Sequence, residues 1–312
     1  MLGDLLVDTL DGAGPHALAR ALQILEHSTP ARALRAIEPL NSVFLRGVLA
    51  AAHAVQAQQV SPPAGPASTT PTPPTSWYVA TVPTPTGCRE VGPEIAGVKV
   101  YLVQQALGLV GHRERYDDAT ASAVRAFQRS HALPVTGRVD VSTWDALGTG
   151  QPFCVDRFVV QPALAPTAPR AAHVAAAERF AAAQVGLPYV WGGAGPVGYD
   201  CSGLVLQALH AGGVVVAGIT VDRHVEVDFA TAAALYTAPD LTQAPLAERQ
   251  PGDLVFWGTP TVTHVALYLG DDWIVEAVRP QLRTASLWTR GDPLPMVARP
   301  FPATPPRDPS PR

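Results

Sequence analysis

The chain has 312 residues, of which 47% are hydrophobic and 15% are charged, and its formal net charge at pH 7 is −4. This length predicts about two or three domains, each long enough to bury a core. A slightly acidic chain lacks the basic surface that binds phosphate backbones, so we expect no nucleic-acid partner. The sequence contains no run of about 18 uncharged apolar residues, so we also expect no membrane-spanning helix.

Residues 1–60 carry apolar side chains at the spacing of a helix and predict a helical region of unknown role. Asp4, Asp8 and Asp11, without an early basic residue, do not fit a signal peptide. The stretch FLRGVLAAAHAVQAQ (44–58) predicts an amphipathic helix, with a poor signal sequence as the alternative. The export route stays open, and a secretion-system or regulatory partner is one candidate for the contact of this region.

Stretches rich in proline divide the chain, because proline fixes its own backbone angle and lacks an N–H donor. We expect extended spacers there and folded units between them. The predicted organisation is a helical N-terminal region (1–60), a Pro/Thr-rich linker (61–87), a middle domain (88–154), a second linker (155–170), a C-terminal domain (171–302) and a disordered tail (303–312).

The middle domain shows the pattern of three short helices. The first starts near Val98, the second is predicted over residues 121–131 with Asp118 or Thr120 as its N-cap, and the third starts at Thr143. The predicted core consists of Val98, Leu102, Leu107, Val124, Phe127, Leu133, Val139, Trp144 and Leu147.

Three stretches of the middle domain resemble the peptidoglycan-binding repeat domain of bacterial wall enzymes. They are the Gln104–Gln105 pair, YDDATASAVRAFQRSHALPVTG (116–137) and STWDAL (142–147). The resemblance implies peptidoglycan as a partner, although Thr136 and Ala132 replace the aspartate and glycine that are usual there. The alternative is a packing module without a ligand, since a fold does not establish a function.

The sequence has three cysteines, Cys88, Cys154 and Cys201. Cys88 and Cys154 flank the middle domain, and in an exported protein we expect a disulfide between them that contributes about 4 kcal/mol by loop entropy. Two free cysteines are the alternative, since no clear signal peptide is visible. In both cases Cys201 has no partner.

Cys201 lies in PYVWGGAGPVGYDCSGLVLQALHAGG (188–213), at the start of a predicted helix that stops at Gly212–Gly213. The free N–H groups and the dipole at a helix N-terminus favour a thiolate, which is the reactive form of cysteine. The pattern therefore makes Cys201 a candidate nucleophile. The alternative is a small buried apolar residue, which is what most free cysteines are.

The stretch QPGDLVFWGTPTVTHVALYLGDDWIVEAV (250–278) predicts three strands with a tight turn between the last two. If that hairpin is centred on Asp271, Glu276 lies opposite Ala266 and diagonally next to His264, on the same sheet face. A histidine base oriented by a third polar group is the general logic of a catalytic triad. The alternatives are a surface histidine and a solvent-facing glutamate.

The motifs PYVWGG, DCSGLV, PGDLVFW and HVALYLG, in this order, resemble the NlpC-type cysteine peptidases of bacterial cell walls. The resemblance implies an α+β, papain-like fold, with a helix that bears the nucleophile packed on an antiparallel sheet that bears the base. It assigns catalytic roles to Cys201, His264 and Glu276. It also implies substrate-binding roles for Tyr189, near the developing oxyanion, and for Asp200 and Ser202; a core aromatic is the alternative for the tyrosine.

The stretch GITVDRHVEVDFATAAALY (218–236) departs from the family pattern, with Arg223 as the candidate for the family's arginine. Polar residues alternate there and predict the exposed face of a strand, with metal ligands or a substrate rim as the alternative. These residues are Asp222, His224, Glu226 and Asp228. Because no H-E-x-x-H motif and no phosphate-binding glycine loop occur, we expect no cofactor.

The implied function is a secreted or wall-associated peptidoglycan hydrolase. By family resemblance it cleaves the stem peptide at the γ-D-glutamyl–diaminopimelate bond, through a Cys-His-Glu thiolate mechanism. The alternatives on the same fold are an N-acetylmuramoyl-L-alanine amidase or an acyltransferase. A non-catalytic wall-binding or assembly protein, and a delivered toxin or phage lysin in which residues 1–60 dock a partner, are the remaining interpretations.

Overall fold

The computed structural model describes residues 78–81, 87–109, 111 and 114–301, with the backbone alone for 78–81. The predictions for residues 1–60 and for the tail lie outside the described residues. Contacts group residues 78–312 into one unit, with which the following is concerned. Within the described part of the chain, no helix is both long enough and apolar enough to cross a membrane.

Three helices build the middle domain: α1 (Val98–Ala106), α2 (Asp118–Ser130) and α3 (Val141–Leu147). The N-cap of α2 is Asp117, not Asp118 or Thr120, because the Asp117 carboxylate accepts from the backbone N–H of Thr120 at 2.8 Å. A carboxylate one residue before the helix can reach the N–H groups of the first turn, which have no partner within the helix.

The core of the middle domain extends beyond the predicted residues. Val98, Val124, Val139 and Trp144 are buried, as predicted, whereas the remaining predicted side chains are only partly buried. The same cluster includes residues of the C-terminal domain, namely Val190 and Val225. The middle domain is therefore packed directly on the C-terminal domain.

The first half of the predicted linker at 155–170 forms regular structure, whereas residues 163–169 contain neither helix nor strand. It begins with a 3-10 turn and continues as strand β2 (Val159–Pro162), which pairs antiparallel with β1 (Tyr78–Thr81). The buried backbone N–H of Val160 donates to the Gln207 side chain at 3.0 Å. The segment satisfies its backbone groups through these contacts, so it fixes the two domains to each other.

Cys88 and Cys154 form a disulfide with their Cα atoms 5.5 Å apart, and Cys201 is free. The disulfide joins the two ends of the middle domain.

The C-terminal domain combines helices with an antiparallel sheet, which confirms the α+β fold class. Its helices are α4 (Arg170–Ala183), α5 (Cys201–Ala211), α6 (Val221–His224) and α7 (Thr231–Tyr236). Its strands are β3 (Thr242–Pro245), β4 (Leu254–Trp257), β5 (His264–Gly270), β6 (Trp273–Ala277), β7 (Leu282–Ser286) and β8 (Met296–Arg299). In the described residues they form a sheet of order β3-β8-β4-β5-β6-β7, and α5 packs on α4 and on β5.

Candidate functional site

Cys201 is the first residue of α5 and is only 8% exposed. Asp200 before it is the helix N-cap, and its Oδ1 accepts from the Gly203 N–H at 2.8 Å and from the Ser202 hydroxyl at 3.1 Å. Its Oδ2 accepts from the Gly192 N–H at 2.8 Å. The cap thus ties the thiol-bearing turn to the glycine-rich loop that precedes it.

The hairpin β5–β6 brings His264 and Glu276 together. Leu267 pairs with Val275, so the register places Glu276 opposite Ala266, as predicted. Next to the turn Gly270 pairs with Trp273, so this register depends on a shift between Tyr268 and Gly270 that was not predicted. The His264 Nε2 lies 2.7 Å from the Glu276 Oε2, and both side chains are buried. The two diagonal neighbours are therefore joined by a hydrogen bond that fixes the orientation of the His264 ring. The other ring nitrogen, Nδ1, takes no part in this bond.

Glu276 is held in turn by Arg283 on β7, a residue that sequence reasoning missed. The Glu276 side chain is 0% exposed, and its Oε1 accepts from Arg283 Nε at 3.0 Å and from Nη2 at 2.8 Å. Burial opposes ionisation, but the hydrogen bonds from His264 and Arg283 outweigh it and hold the pKa of Glu276 below its ordinary value. Glu276 and Arg283 are cross-strand partners, so a strand predicted over 282–286 would have revealed the pair.

The protonation of the thiol differs from the sequence expectation. Burial, followed by the negative charge of Asp200, raises the pKa of Cys201 to about 12, although the N–H groups of Ser202 and Val265 favour the thiolate. Burial also lowers the pKa of His264. The helix N-terminus acts in the expected direction but is outweighed, so the resting pair is a thiol and a neutral imidazole.

Tyr189 lies near Cys201, next to residues that the sequence did not single out. Burial and then the charges of Asp200 and Cys201 raise the pKa of its hydroxyl. The guanidinium of Arg279 lies 4.8 Å above the tyrosine ring. That arginine donates to Glu114 of the middle domain at 3.3 Å, so a carboxylate from the other domain fixes this edge of the site.

Asp200 and Ser202, predicted to shape the substrate end, are both buried. The Asp200 carboxylate accepts from the Ser202 hydroxyl and from backbone N–H groups at the cap, and these hydrogen bonds are internal to the fold. The geometry therefore gives Asp200 the part of a helix cap.

The alternation of polar residues at 218–236, where the sequence departs from the family pattern, predicted a strand. This prediction is wrong, because the segment contains the short helices α6 and α7 instead. Thr220 accepts from the Arg223 N–H at 3.2 Å and caps the short helix α6, so the alternating residues do not share one face. Asp222 pairs with Arg157 at 2.8 Å, while His224 is buried. No group of three or more His, Cys, Asp or Glu residues in the described ranges is placed to hold a metal ion.

Comparisons with known proteins give two matching families. Residues 186–291 match the NlpC/P60 family, and residues 96–147 match the family described as "Putative peptidoglycan binding domain". Peptidoglycan endopeptidase RipB of Mycobacterium tuberculosis is 36% identical over 112 residues, covering 32% of this chain and 41% of RipB. Peptidoglycan endopeptidase RipA of Mycolicibacterium smegmatis is 35% identical over 107 residues, covering 30% of this chain and 19% of RipA.

Among solved structures, RipD of Mycobacterium tuberculosis, described as a non-catalytic NlpC/p60 domain protein, matches with 24% identity and a TM-score of 0.30. The match covers 41% of this chain and 96% of that chain. The chain spans less than half the length of the two curated relatives.

The two matched ranges coincide with the two packed domains, and the second contains Cys201, His264 and Glu276. Residues 186–291 of this chain therefore resemble the NlpC/P60 family, and residues 96–147, which precede them, resemble a peptidoglycan-binding domain.

Proposed function

We propose that this protein is a peptidoglycan hydrolase of the cysteine endopeptidase class, with Cys201 as nucleophile, His264 as base and Glu276 as the residue that orients the base. The observation that carries the proposal is the buried 2.7 Å hydrogen bond between His264 and Glu276. One of the two backbone N–H groups that favour the Cys201 thiolate belongs to Val265, the residue after the base. RipA and RipB are both named peptidoglycan endopeptidases, which supports peptidoglycan as the class of substrate.

The mechanism starts from the neutral pair. His264 Nδ1 takes the proton of the Cys201 thiol as the sulfur attacks a peptide carbonyl, which forms a tetrahedral oxyanion. The imidazolium, stabilised by Glu276, returns the proton to the leaving amine, and a thioester remains. Water, deprotonated by the same imidazole, then hydrolyses the thioester and releases the free carboxylate and the thiol. A buried thiol is kept from side reactions until the substrate excludes water.

The scissile bond proposed from the family resemblance joins the γ-carboxyl of D-glutamate to diaminopimelate. The peptidoglycan-binding domain supports peptidoglycan as the polymer that is held near the site, and a cell-wall or extracellular location.

The test is mass spectrometry of purified diaminopimelate-type peptidoglycan after incubation with the wild type or with Cys201→Ala. We expect new fragments ending in D-glutamate with the wild type and none with the variant, while the variant keeps its fold by circular dichroism. Free stem peptides beginning at L-alanine would instead identify an amidase. If the folded wild type released no products, this result would contradict the proposed hydrolase activity and favour a wall-binding protein.

A further inference from the structure

A second buried histidine–carboxylate pair lies at the N-terminus of α5. His224 is 4% exposed, and its Nε2 lies 3.3 Å from the Asp200 Oδ1. Its Nδ1 lies 2.9 Å from the hydroxyl of Thr231 on α7. A Cβ on Gly203 would lie 2.8 Å from the His224 Nε2, so the ring is held against the first turn of the nucleophile helix.

Asp200 places a negative charge directly before the thiol, and the two groups share a buried environment. Coulomb interactions are strong where water is excluded, so an unpaired carboxylate there opposes a thiolate. His224 is the side chain that faces this carboxylate and can carry a positive charge. Burial lowers the pKa of His224, but the Asp200 charge and the contacts with Asp200 and with the Gly193 carbonyl outweigh it and leave the pKa raised.

The neighbouring elements supply few other charges to His224. From α7 it meets the neutral Thr231, and from the glycine loop it meets the Gly193 carbonyl. On its own helix, the Asp222 carboxylate is paired with Arg157, and the Arg223 guanidinium donates to the Gly218 carbonyl. The titratable groups linked to His224 through Asp200 are Tyr189, Cys201 and His264.

We infer that His224, as an imidazolium, is a positioning residue for the nucleophile: it offsets part of the charge of Asp200, so that the carboxylate caps α5 while opposing the formation of the Cys201 thiolate less than it would alone. The inference rests on the proposed role of Cys201. It assigns a function to the segment in which this chain departs from the family pattern.

The test is the rate of alkylation of Cys201 by iodoacetamide, measured over a wide pH range in the full chain. Cys88 and Cys154 are joined in a disulfide, so the free thiol is the reporter and no peptidoglycan is needed. With His224→Gln we expect an alkylation rate at least about tenfold lower at a pH where His224 is charged, since a neighbouring charge shifts a pKa by about one unit or more. At high pH, where His224 is neutral, the rates of wild type and variant should converge.

Two further variants separate electrostatics from packing. The double variant Asp200→Asn/His224→Gln lacks both charges and should recover most of the rate lost in the single variant. His210→Gln removes a different buried histidine, which lies on α5 away from the cap, and should leave the pH profile of alkylation unchanged.

Equal rates for a folded His224→Gln variant and the wild type would overturn the inference. If that variant does not fold, Thr231→Val, which removes the partner of Nδ1, should shift the rate in the same direction by a smaller factor, and an unchanged rate there would also overturn it. A wild type that is alkylated as expected but does not hydrolyse peptidoglycan would contradict the proposed function alone.

Discussion

At the scale of single residues, the His264 imidazole is set by two opposing influences. Burial lowers its pKa, and the hydrogen bond and charge of Glu276 raise it, with burial the stronger. Glu276 can supply this charge because Arg283 keeps it ionised in a buried position. The charged partner thereby orients the ring. Because its pKa is lowered, the ring is still neutral at a pH near the ordinary pKa of histidine, which suits a base that must accept a proton from a thiol.

This balance predicts the pH dependence of hydrolysis. A base works only when it is neutral, so kcat/KM should fall as the pH drops through the pKa of His264, with a midpoint below the ordinary value of about 6.5. Glu276→Gln removes influences that raise this pKa. We therefore expect the acid midpoint to move further down while the maximal kcat/KM falls roughly ten- to a hundredfold, because the ring is oriented less well.

The pH profile of kcat/KM on a soluble stem peptide measures both effects. Glu248→Gln, which removes an exposed carboxylate, is the matched control and should leave midpoint and maximum unchanged. An acid midpoint that rises in Glu276→Gln would contradict the assigned role of Glu276.

At the scale of elements, the glycine loop before Cys201 packs directly on α5. A Cβ added at Gly203 would lie 2.0 Å from the Gly193 carbonyl oxygen. The Asp200 N–H donates to this same carbonyl at 2.8 Å. The absence of a side chain at Gly203 is therefore what lets the loop and the helix share the cap.

A glycine-to-alanine change within a helix usually stabilises the fold by about 1 kcal/mol. Gly203→Ala should instead destabilise it. Backbone atoms cannot move aside as a side chain can, so we expect a loss of about 3 kcal/mol in the free energy of unfolding. Urea unfolding of the full chain measures it.

Gly148→Ala is the matched control. Gly148 has open space around it and a left-handed φ of 62°, so alanine there should cost only about 1 kcal/mol. A Gly203→Ala variant as stable as the wild type would show that the loop can move away from α5.

At the scale of the whole described unit, the two domains share a core and an edge of the site. Val190 and Val225 pack in the core of the middle domain, and the Ala96 N–H donates to the Val225 carbonyl at 2.9 Å. Glu114 binds Arg279 and accepts from the Trp191 N–H at 3.4 Å. The middle domain thus supports the loop that leads to Cys201, in addition to the proposed binding of peptidoglycan.

A comparison of the full chain with the fragment 171–301 tests this arrangement. The fragment exposes Val190 and Val225, so it should melt at a lower temperature. It should also hydrolyse a small soluble stem peptide with a kcat/KM of about one tenth of the full chain's value or less, because the site is less well ordered. A domain that acts only as a tether would affect the intact wall and not the soluble peptide. Equal kcat/KM values on the soluble peptide would therefore contradict structural support by the middle domain.

The sequence by itself determined those features that depend on neighbours along the chain. Apolar runs bounded by turn signals predicted β4, β5 and β6, and the residues after Cys201 predicted a helix that starts at the thiol. A hairpin centred on Asp271 predicted that Glu276 lies diagonally next to His264, although the register shift between Tyr268 and Gly270 that completes this pairing was not predicted. These patterns hold because strand propensity, turn chemistry and helix capping act over a few residues.

The tertiary structure alone decided the features that depend on burial and on distant residues. The thiol is protonated at rest because burial and Asp200 outweigh the helix terminus, a balance that no local pattern contains. His224 meets Asp200, and Arg279 meets Glu114 across 165 positions of sequence, only because packing brings their elements together. Electrostatic energies depend on distance and on the exclusion of water, and both are set by the fold.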